Sequence, residues 1–202
     1  SGGKARHVGR DAKSRSEETR GLRPNHDGKT LVSIATSVAA GKWVRPRQKG
    51  VLEPDRDGRT ALIFKAEGQP SVKITYSELY DEVARIAQSL RALGIKPGDR
   101  VVGFLPNMPH AIIAMLAATS IGAIWSSCSP DFGIKGVLDR FGQIRPRVIF
   151  TADGYFFKGK KIDSLARMAN ILKELRSIER VVVVPYTEPA PDIRGIPNAV
   201  HW

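Results

Sequence analysis

The sequence predicts an α/β fold in which repeated βαβ units form a mostly parallel sheet with helices on both faces. From residue 58 onward, strand-like and helix-like segments alternate about four times, and short connections join them. This alternation is typical of right-handed βαβ units and of a parallel sheet covered on both sides. The composition agrees, because 42% of the 202 residues are hydrophobic, near the globular norm of about 45–50%.

The first predicted elements are short strands over residues 59–65 and 73–75, followed by a long helix. Thr75 is the predicted N-cap, because its hydroxyl and the Glu78 carboxylate can accept two otherwise unpaired backbone N–H groups reciprocally. Apolar side chains then recur every three or four residues, as on one face of a helix. They are Leu79, Val83, Ile86, Leu90 and Leu93. Gly94 suits the position after the helix, and a turn is predicted to follow.

The later elements continue the alternation. Strands are predicted over residues 100–105, 123–126, 148–151 and 181–184, and helices over residues 108–121, 134–144 and 164–175. Asp131 is the candidate N-cap of the helix that starts at residue 134. Residues 186–202 contain three prolines and are predicted to form an irregular linker. Parallel sheets bind ligands at the carboxyl ends of their strands. The candidate binding loops are therefore residues 106–109, 126–133 and 152–161.

Two of these loops carry polar side chains. Residues 126–131 (Ser-Ser-Cys-Ser-Pro-Asp) are hydroxyl-rich and precede a helix, which suits an anionic or polar ligand, although helix capping explains the same residues equally well. Cys128 is predicted to be a small buried residue rather than a nucleophile. Three cations surround a glycine, with little local acid, at Lys158, Gly159, Lys160 and Lys161. This loop is expected to attract phosphate, and an ordinary exposed basic loop is the alternative.

The net charge is unevenly distributed. The chain has 32 Lys+Arg and 20 Asp+Glu, a formal net charge of +12, of which residues 1–50 hold +8 (12 Lys+Arg against 4 Asp+Glu). Residues 1–29 have the composition of a disordered arm. Such an arm is expected to bind polyanions non-specifically, and a solvated tail without a partner is the plainer alternative. A basic-tailed α/β nucleic-acid-binding module is therefore one function hypothesis.

Several function classes lack their motifs in the sequence. No Gly-x-Gly-x-x-Gly follows the strand over residues 100–105, which argues against an NAD-dependent Rossmann domain. Histidines and acidic residues form no acid–base or metal pattern, and one cysteine allows no disulfide framework. No stretch reaches the ~18 apolar residues of a membrane span, and the first 30 residues lack the apolar region of a secretory signal. A cytoplasmic protein without a membrane span is predicted.

Residues 75–101 resemble the opening segment of the adenylate-forming (AMP-dependent synthetase/ligase) superfamily. The matching motifs are Thr-Tyr-x-Glu-Leu at 75–79 and Gly-Asp-Arg-Val at 98–101. Three later motifs are similar to the acetoacetyl-CoA synthetase family within that superfamily. They are Trp-Ser-Ser at 125–127, Ser-Pro-Asp-Phe-Gly at 129–133 and Val-Leu-Asp-Arg-Phe at 137–141. The resemblance covers residues 51–202, about three quarters of the chain.

The resemblance implies a two-step ligase. ATP and acetoacetate form an acyl-adenylate with loss of pyrophosphate, and the CoA thiol then displaces AMP to give acetoacetyl-CoA. ATP, accompanied by Mg²⁺, and CoA are thus the implied co-substrates of the whole enzyme, and none of them is assigned to this chain alone. A ligase for another short-chain acid is the alternative within the same superfamily.

The resemblance also implies site residues. In related acetyl-CoA synthetases, a short Arg-Gly-Gly-Arg loop binds phosphates of the CoA nucleotide. The matching residues here are Lys158, Gly159, Lys160 and Lys161, which keep the charge but replace bidentate guanidinium groups by point charges. The residues expected to lie toward the channel for the acyl group and pantetheine are Trp125, Ser126, Ser127 and Ser129. No catalytic or metal-binding residue is assigned.

Two departures from the family pattern set the expected organisation. Residues 45–50 stand where the family has a Leu-Asn-Tyr-Ala-Glu-Asn-like segment, so residues 1–50 are predicted to be a basic, disordered or non-homologous segment. Residues 51–202 are predicted to be the incomplete N-terminal part of the ligase large domain. The 202 residues contain neither the family's ATP-phosphate loop ending in Pro-Lys nor its adenylation lysine. Because catalysis depends on such positioned groups, the chain alone is expected to be inactive.

Overall fold

The computed structural model of the chain describes residues 58–67 and 70–202. The predictions for residues 1–50 lie outside these described residues. The described part opens with two antiparallel strands, β1 (Thr60–Phe64) and β2 (Val72–Thr75), which pair with each other and form a sheet of their own. Both strands lie where the sequence predicts them.

Helix α1 (Tyr76–Ala92) follows β2 directly and is capped as predicted. The backbone N–H of Glu78 donates to the Thr75 hydroxyl (3.2 Å), and the backbone N–H of Thr75 donates to the Glu78 carboxylate (2.7 Å). At the other end, Gly94 adopts a φ of 73°, which lets Ile95 N–H reach the Leu90 carbonyl at 3.1 Å. This pair of end signals fixes the length of the helix within the local sequence.

A five-stranded parallel sheet forms the centre of the described part. Its strands, in spatial order, are β4 (Ile124–Cys128), β3 (Arg100–Phe104), β5 (Val148–Ala152), β8 (Arg180–Val184) and β9 (Ala199–His201). Helices connect most of them: α2 (Pro109–Ser120), α3 (Ile134–Ile144) and α4 (Leu165–Glu174). An antiparallel hairpin of β6 (Gly154–Phe157) and β7 (Lys160–Asp163) lies between β5 and α4. The predicted fold class is confirmed.

The core consists of two apolar clusters, one on each face of the sheet. Helices α1 and α2 cover the face that carries Val101, Phe150 and Val182, and helices α3 and α4 cover the face that carries Val102, Ile149 and Val181. Neighbouring residues of one strand thus point to opposite clusters, as the pleat requires. Because both faces are buried, the central strands are continuous apolar runs rather than alternating ones.

Four sequence predictions about local structure are wrong. Residues 126–128 belong to β4, because β3 supplies a complete parallel ladder that ends with Phe104 opposite Cys128. Asp131 is not the N-cap of α3: Gly133 is, and no side chain caps that helix. Residues 152–161 are not a loop but contain β6 and the start of β7.

The fourth wrong prediction is the irregular linker at residues 186–202, which contains a strand near its end. The chain returns to the sheet at its end, where β9 pairs in parallel with β8 and places Val200 opposite Val182. Trp202 packs edge-on against the ring of Phe150, with ring centroids 5.7 Å apart. The sequence did not predict this strand, because it is short, follows a proline-rich segment and forms only by pairing with β8, about twenty residues earlier.

Candidate functional site

A pocket of about 310 Å³ opens at the carboxyl ends of β3, β4 and β8, beside β6. The two antiparallel hairpins flank it, so the pocket combines polar groups from strand ends with aromatic rings from the hairpins. It is lined by Phe64, Lys65, Ala66, Glu67, Pro106, Asn107, Ser129, Pro130, Asp131, Tyr155, Phe156, Phe157 and Tyr186. This is the position at which parallel sheets bind ligands.

The segment after β4 is held in place by a small hydrogen-bond network. The Ser129 hydroxyl donates to the Asp131 carboxylate (2.9 Å), and the Tyr155 hydroxyl of β6 donates to the other oxygen of the same carboxylate (2.8 Å). Arg167 of α4 donates to the carbonyl of Pro130. Burial, and then the Asp131 carboxylate, raise the pKa of Tyr155, so its hydroxyl stays a donor. The network joins the strand end, the hairpin and a helix around one side of the pocket.

Asp153, which sequence reasoning missed, organises the segment that follows β8. Its side chain is buried, and its carboxylate accepts hydrogen bonds from the backbone N–H groups of Tyr186 (2.7 Å), Thr187 (3.0 Å) and Glu188 (2.9 Å). The Thr187 hydroxyl donates a fourth, at 2.6 Å. The segment after β8 therefore wraps around the end of β5. The sequence feature that could have indicated this role is an aspartate placed directly after a buried strand and directly before a glycine.

Gly154, the next residue, permits this close approach. A Cβ atom on Gly154 would lie 2.6 Å from the Ile162 carbonyl oxygen of β7 and 3.2 Å from Thr187. A backbone oxygen cannot move aside as a flexible side chain can. The Asp153–Gly154 pair thus brings three chain segments together where the hairpin leaves the sheet.

The predicted basic loop is the tip of the β6–β7 hairpin. Lys158 and Gly159 form the two-residue turn, both with positive φ (51° and 74°), whereas Lys160 and Lys161 already belong to β7. Positive φ at both positions is the type I′ arrangement that suits a tight hairpin. The structure thus places the four predicted residues together, but on a strand and a turn rather than in an open loop.

The expectation of little local acid around these lysines is wrong. Glu188 forms an ion pair with Lys161, which raises the pKa of that lysine. The Glu67 carboxylate accepts the backbone N–H groups of Lys158 (3.0 Å) and Gly159 (2.6 Å). Both glutamates come from distant parts of the sequence, so the local charge pattern did not reveal them.

The four residues predicted for the acyl and pantetheine channel do not come together. Trp125 packs on the α1–α2 side of the sheet, where its ring lies against Gly103: a Cβ there would be 2.7 Å from the indole. Ser126 and Ser127 follow on β4, whose successive side chains alternate between the two faces. Of the four, Ser129 alone lines the pocket at the strand ends.

A family model described as "AMP-binding enzyme" matches residues 53–199. The chain belongs to this family. It is 48% identical over 155 residues to acetoacetyl-CoA synthetase from Mus musculus, and this alignment covers 75% of this chain and 23% of the relative. It is 48% identical over 139 residues to acetoacetyl-coenzyme A synthetase from Rhizobium meliloti (strain 1021), covering 67% of this chain and 21% of the relative.

A solved acetoacetyl-CoA synthetase from Streptomyces lividans has the same fold. The match has a TM-score of 0.68 at 38% identity and covers 84% of this chain and 24% of that one. The chain thus spans about a quarter of the length of the relatives that it matches. The resemblance to acetoacetyl-CoA synthetases predicted from sequence motifs is confirmed.

The family motif at residues 98–101 lies at the amino ends of the strands, away from the pocket. The Asp99 carboxylate accepts the Lys96 backbone N–H (2.8 Å) and the guanidinium of Arg147 (2.5 Å). Arg100 donates to the carbonyls of Ile144 (2.8 Å) and Arg145 (2.9 Å) at the end of α3. This motif, one of several that carry the resemblance, therefore connects secondary-structure elements and does not line the pocket.

The described residues contain no group of three or more histidine, cysteine or acidic side chains that could hold a metal ion. Cys128 is buried, and burial raises the pKa of its thiol, in agreement with the predicted small core residue. Within residues 58–67 and 70–202, no helix has the length and apolar character needed to cross a membrane.

Proposed function

We propose that the chain is part of an acetoacetate–CoA ligase that converts acetoacetate, ATP and CoA to acetoacetyl-CoA, AMP and pyrophosphate. The observation that carries the proposal is the 46–48% identity to acetoacetyl-CoA synthetases over three quarters of this chain. The parallel sheet with a polar pocket at its carboxyl edge supports it. In this proposal, residues 51–202 form the N-terminal part of the ligase large domain, and the enzyme acts in the cytoplasm.

Within that enzyme, the lysines of the β6–β7 hairpin would bind phosphates of the CoA nucleotide. Lys158 and Lys160 are exposed, and Lys161 forms an ion pair with Glu188. Ammonium groups at the tip of a hairpin can reach a bulky nucleotide without a preformed cleft. Ser129 is the residue best placed to face the remainder of the ligand, because it lines the pocket below the hairpin.

Calorimetric titration of the 202-residue chain with CoA and with dephospho-CoA tests this assignment. The K158A/K160A double variant should weaken CoA binding by roughly tenfold, the equivalent of one charge-assisted hydrogen bond. K96A/K173A is the matched control, because it removes two exposed lysines at a distance from the pocket. Equal losses in both double variants, or no preference for CoA over dephospho-CoA, would contradict the assignment.

These 202 residues alone are proposed not to form the acyl-adenylate, because they contain no Pro-Lys phosphate loop and no adenylation lysine. Incubation with acetoacetate, ATP, Mg²⁺ and CoA should release pyrophosphate and AMP only at the rate of a protein-free blank. Product above that rate would show that these 202 residues suffice for the first step. Replacing acetoacetate by other short-chain acids in the whole enzyme would test the alternative acyl specificity.

A nucleic-acid-binding module is the second candidate, favoured by one observation. Residues 1–50 carry a net charge of +8, two thirds of the excess of the chain. Counterion release gives any such segment affinity for polyanions without sequence specificity. The two candidates differ in where affinity lies, at residues 1–50 or at the pocket.

A further inference from the structure

The turn at the tip of the β6–β7 hairpin presents two backbone N–H groups to one anion. We call Lys158 and Gly159 the hairpin turn. Lys158 N–H donates to one carboxylate oxygen of Glu67 (3.0 Å), and Gly159 N–H donates to the other (2.6 Å). Two successive amides that converge in a turn form a concave anion site made of fixed partial charges. The site exists in the backbone, so it does not depend on the conformation of the lysine side chains.

Glu67 reaches this site from a distant part of the chain. It lies 91 residues before Lys158, in the segment after β1, and its side chain is exposed. It also lines the pocket at the strand ends, together with Lys65 and Phe157. The carboxylate therefore bridges the two hairpins beside the pocket opening. An exposed side chain can leave such a contact without disturbing the core.

The cationic surroundings of the turn exceed what one carboxylate needs. Lys158 lies in the turn, with its ammonium group 5.3 Å from the Phe157 ring centroid, and Lys160 is the first residue of the strand that follows. Lys161 has its own partner in Glu188. A phosphoryl group carries more negative charge than a carboxylate and also presents several acceptor oxygens. The turn and its lysines together thus match a phosphate better than they match Glu67.

We infer that Glu67 is an internal competitor for an anion site at the hairpin turn, and that a phosphoryl ligand binds the two amides only after the Glu67 carboxylate has left. Glu67 then lowers the apparent affinity of the site for every anionic ligand by the same factor. The inference rests on the proposed function for the identity of the natural ligand, the phosphates of the CoA nucleotide. The competition itself follows from the contacts of Glu67.

The size of the effect follows from how often the turn is free. The apparent dissociation constant of a ligand rises in inverse proportion to the fraction of protein that is competent to bind. If Glu67 occupies the turn for about nine-tenths of the time, its removal lowers the apparent dissociation constant about tenfold. A glutamine at position 67 keeps the size of the side chain and removes its charge.

The test uses the full 202-residue chain labelled with ¹⁵N and inorganic pyrophosphate as the probe. In ¹H–¹⁵N spectra without ligand, E67Q should shift the Lys158 and Gly159 amides upfield, because the carboxylate no longer accepts them. In pyrophosphate titrations followed at the same amides, E67Q and E67A should bind about tenfold more tightly than the parent chain. The spectra report at the same time whether each variant is folded.

E188Q is the matched control. It removes one carboxylate from the same hairpin surface but from Lys161 rather than from the turn. Because it frees Lys161, E188Q should tighten pyrophosphate binding, but by less than about threefold, since exposed charges are screened and Glu188 does not occupy the turn. Equal effects of E67Q and E188Q would overturn the inference, and so would unchanged affinity in E67Q or shifts confined to other amides. Pyrophosphate contains no part specific to CoA. The pyrophosphate titrations therefore test the competition by Glu67 even if the CoA titrations contradict the proposed function.

Discussion

At the scale of single residues, Asp153 stabilises the carboxyl edge of the sheet with one buried charge. Burying a carboxylate is costly unless its oxygens accept hydrogen bonds. Here three backbone N–H groups and one hydroxyl supply them, and all four belong to residues 186–188. Asp153 thus fixes the backbone conformation of residues 186–188, and Tyr186 of this segment lines the pocket.

Asp153→Asn should destabilise the chain by about 2–3 kcal/mol, because an amide nitrogen replaces an acceptor oxygen and leaves buried donors unpaired. Hydrogen exchange should quicken at the amides of residues 186–188, and urea unfolding gives the loss of stability. Asp139→Asn, an exposed position on α3, should leave both measurements unchanged. Unaltered exchange in D153N would show that the hydrogen bonds do not hold the segment.

His110 connects the stability of the chain to pH. Its imidazole packs edge-on against Trp202, with ring centroids 5.0 Å apart, and its Nδ1 is buried without a partner among the described residues. Burial lowers the pKa of His110 below its ordinary value of 6.5; the Glu82 carboxylate opposes this shift and Arg85 adds to it. The unfolded chain therefore binds a proton at a higher pH than the folded chain does.

The free energy of unfolding should accordingly fall as the pH drops below about 6.5, until the lowered pKa is reached. His110→Phe keeps an aromatic ring against Trp202 and removes the titrating group. The variant should lose this part of the pH dependence between pH 7 and 5, as measured by urea unfolding at several pH values. The same slope in both proteins would assign the dependence to other groups.

At the scale of elements, Arg147 ties together the amino ends of three strands. Its guanidinium donates to Asp99 before β3 (2.5 Å), to both oxygens of Glu179 before β8 (2.7 Å each), and to the Gly94 carbonyl after α1 (3.1 Å). The Lys96 backbone N–H and then Arg147 lower the pKa of Asp99. A guanidinium has five N–H donors in a planar fork, so it can bond both Glu179 oxygens and still donate to Asp99 and Gly94.

Arg147→Ala should lower the free energy of unfolding by about 1–2 kcal/mol, since two carboxylates lose their shared partner while solvent screens part of the loss. Arg147→Lys should recover only a fraction, because an ammonium cannot bond Glu179 through two parallel N–H groups. Chemical unfolding at neutral pH measures both. Arg194→Ala, which breaks a fully exposed pair with Asp192, serves as the control and should have no measurable effect. If R147K were as stable as the parent, the fork geometry would be irrelevant.

Elements whose signals are local were predictable from the sequence. Helix α1 is the clearest case, because its cap, its apolar stripe and its terminal glycine all lie within twenty residues. The end of β4 and the whole of β9 were not predictable, because serines and a proline-rich approach form strands there only through pairing with β3 and β8. Tertiary pairing overrides weak local preference in such strands.

The candidate site divides in the same way. The carboxyl edge of the sheet and the basic residues 158–161 could be located from the order of elements and from charge. The partners of these groups could not: Asp153 contacts residues 33 to 35 positions later, and Glu67 lies more than ninety positions before the turn that it contacts. Local sequence patterns therefore locate the basic residues, but they do not reveal which distant groups the carboxylates of Asp153 and Glu67 contact.

At the scale of the whole molecule, the two ends of the sheet serve different purposes. The amino ends carry the Arg147 network and the family motif at 98–101, which connect secondary-structure elements to each other. The carboxyl ends carry the pocket, Asp153 and the basic hairpin. A substitution at the amino end is thus expected to act on stability, and one at the pocket on ligand affinity, so stability and binding measurements together separate the two.

At the same scale, the charge distribution of the chain separates the two candidate functions. Removal of residues 1–50 lowers the net charge from +12 to +4. Binding to heparin or duplex DNA should then be lost, whereas CoA binding by the hairpin lysines should persist. For the parent chain, the logarithm of DNA affinity should fall with the logarithm of salt concentration by roughly 0.9 per phosphate neutralised. DNA binding that survives the deletion with the same salt slope would place the polyanion site in the α/β part and would contradict the basic-tailed module. Loss of CoA binding on the deletion would contradict the ligase assignment.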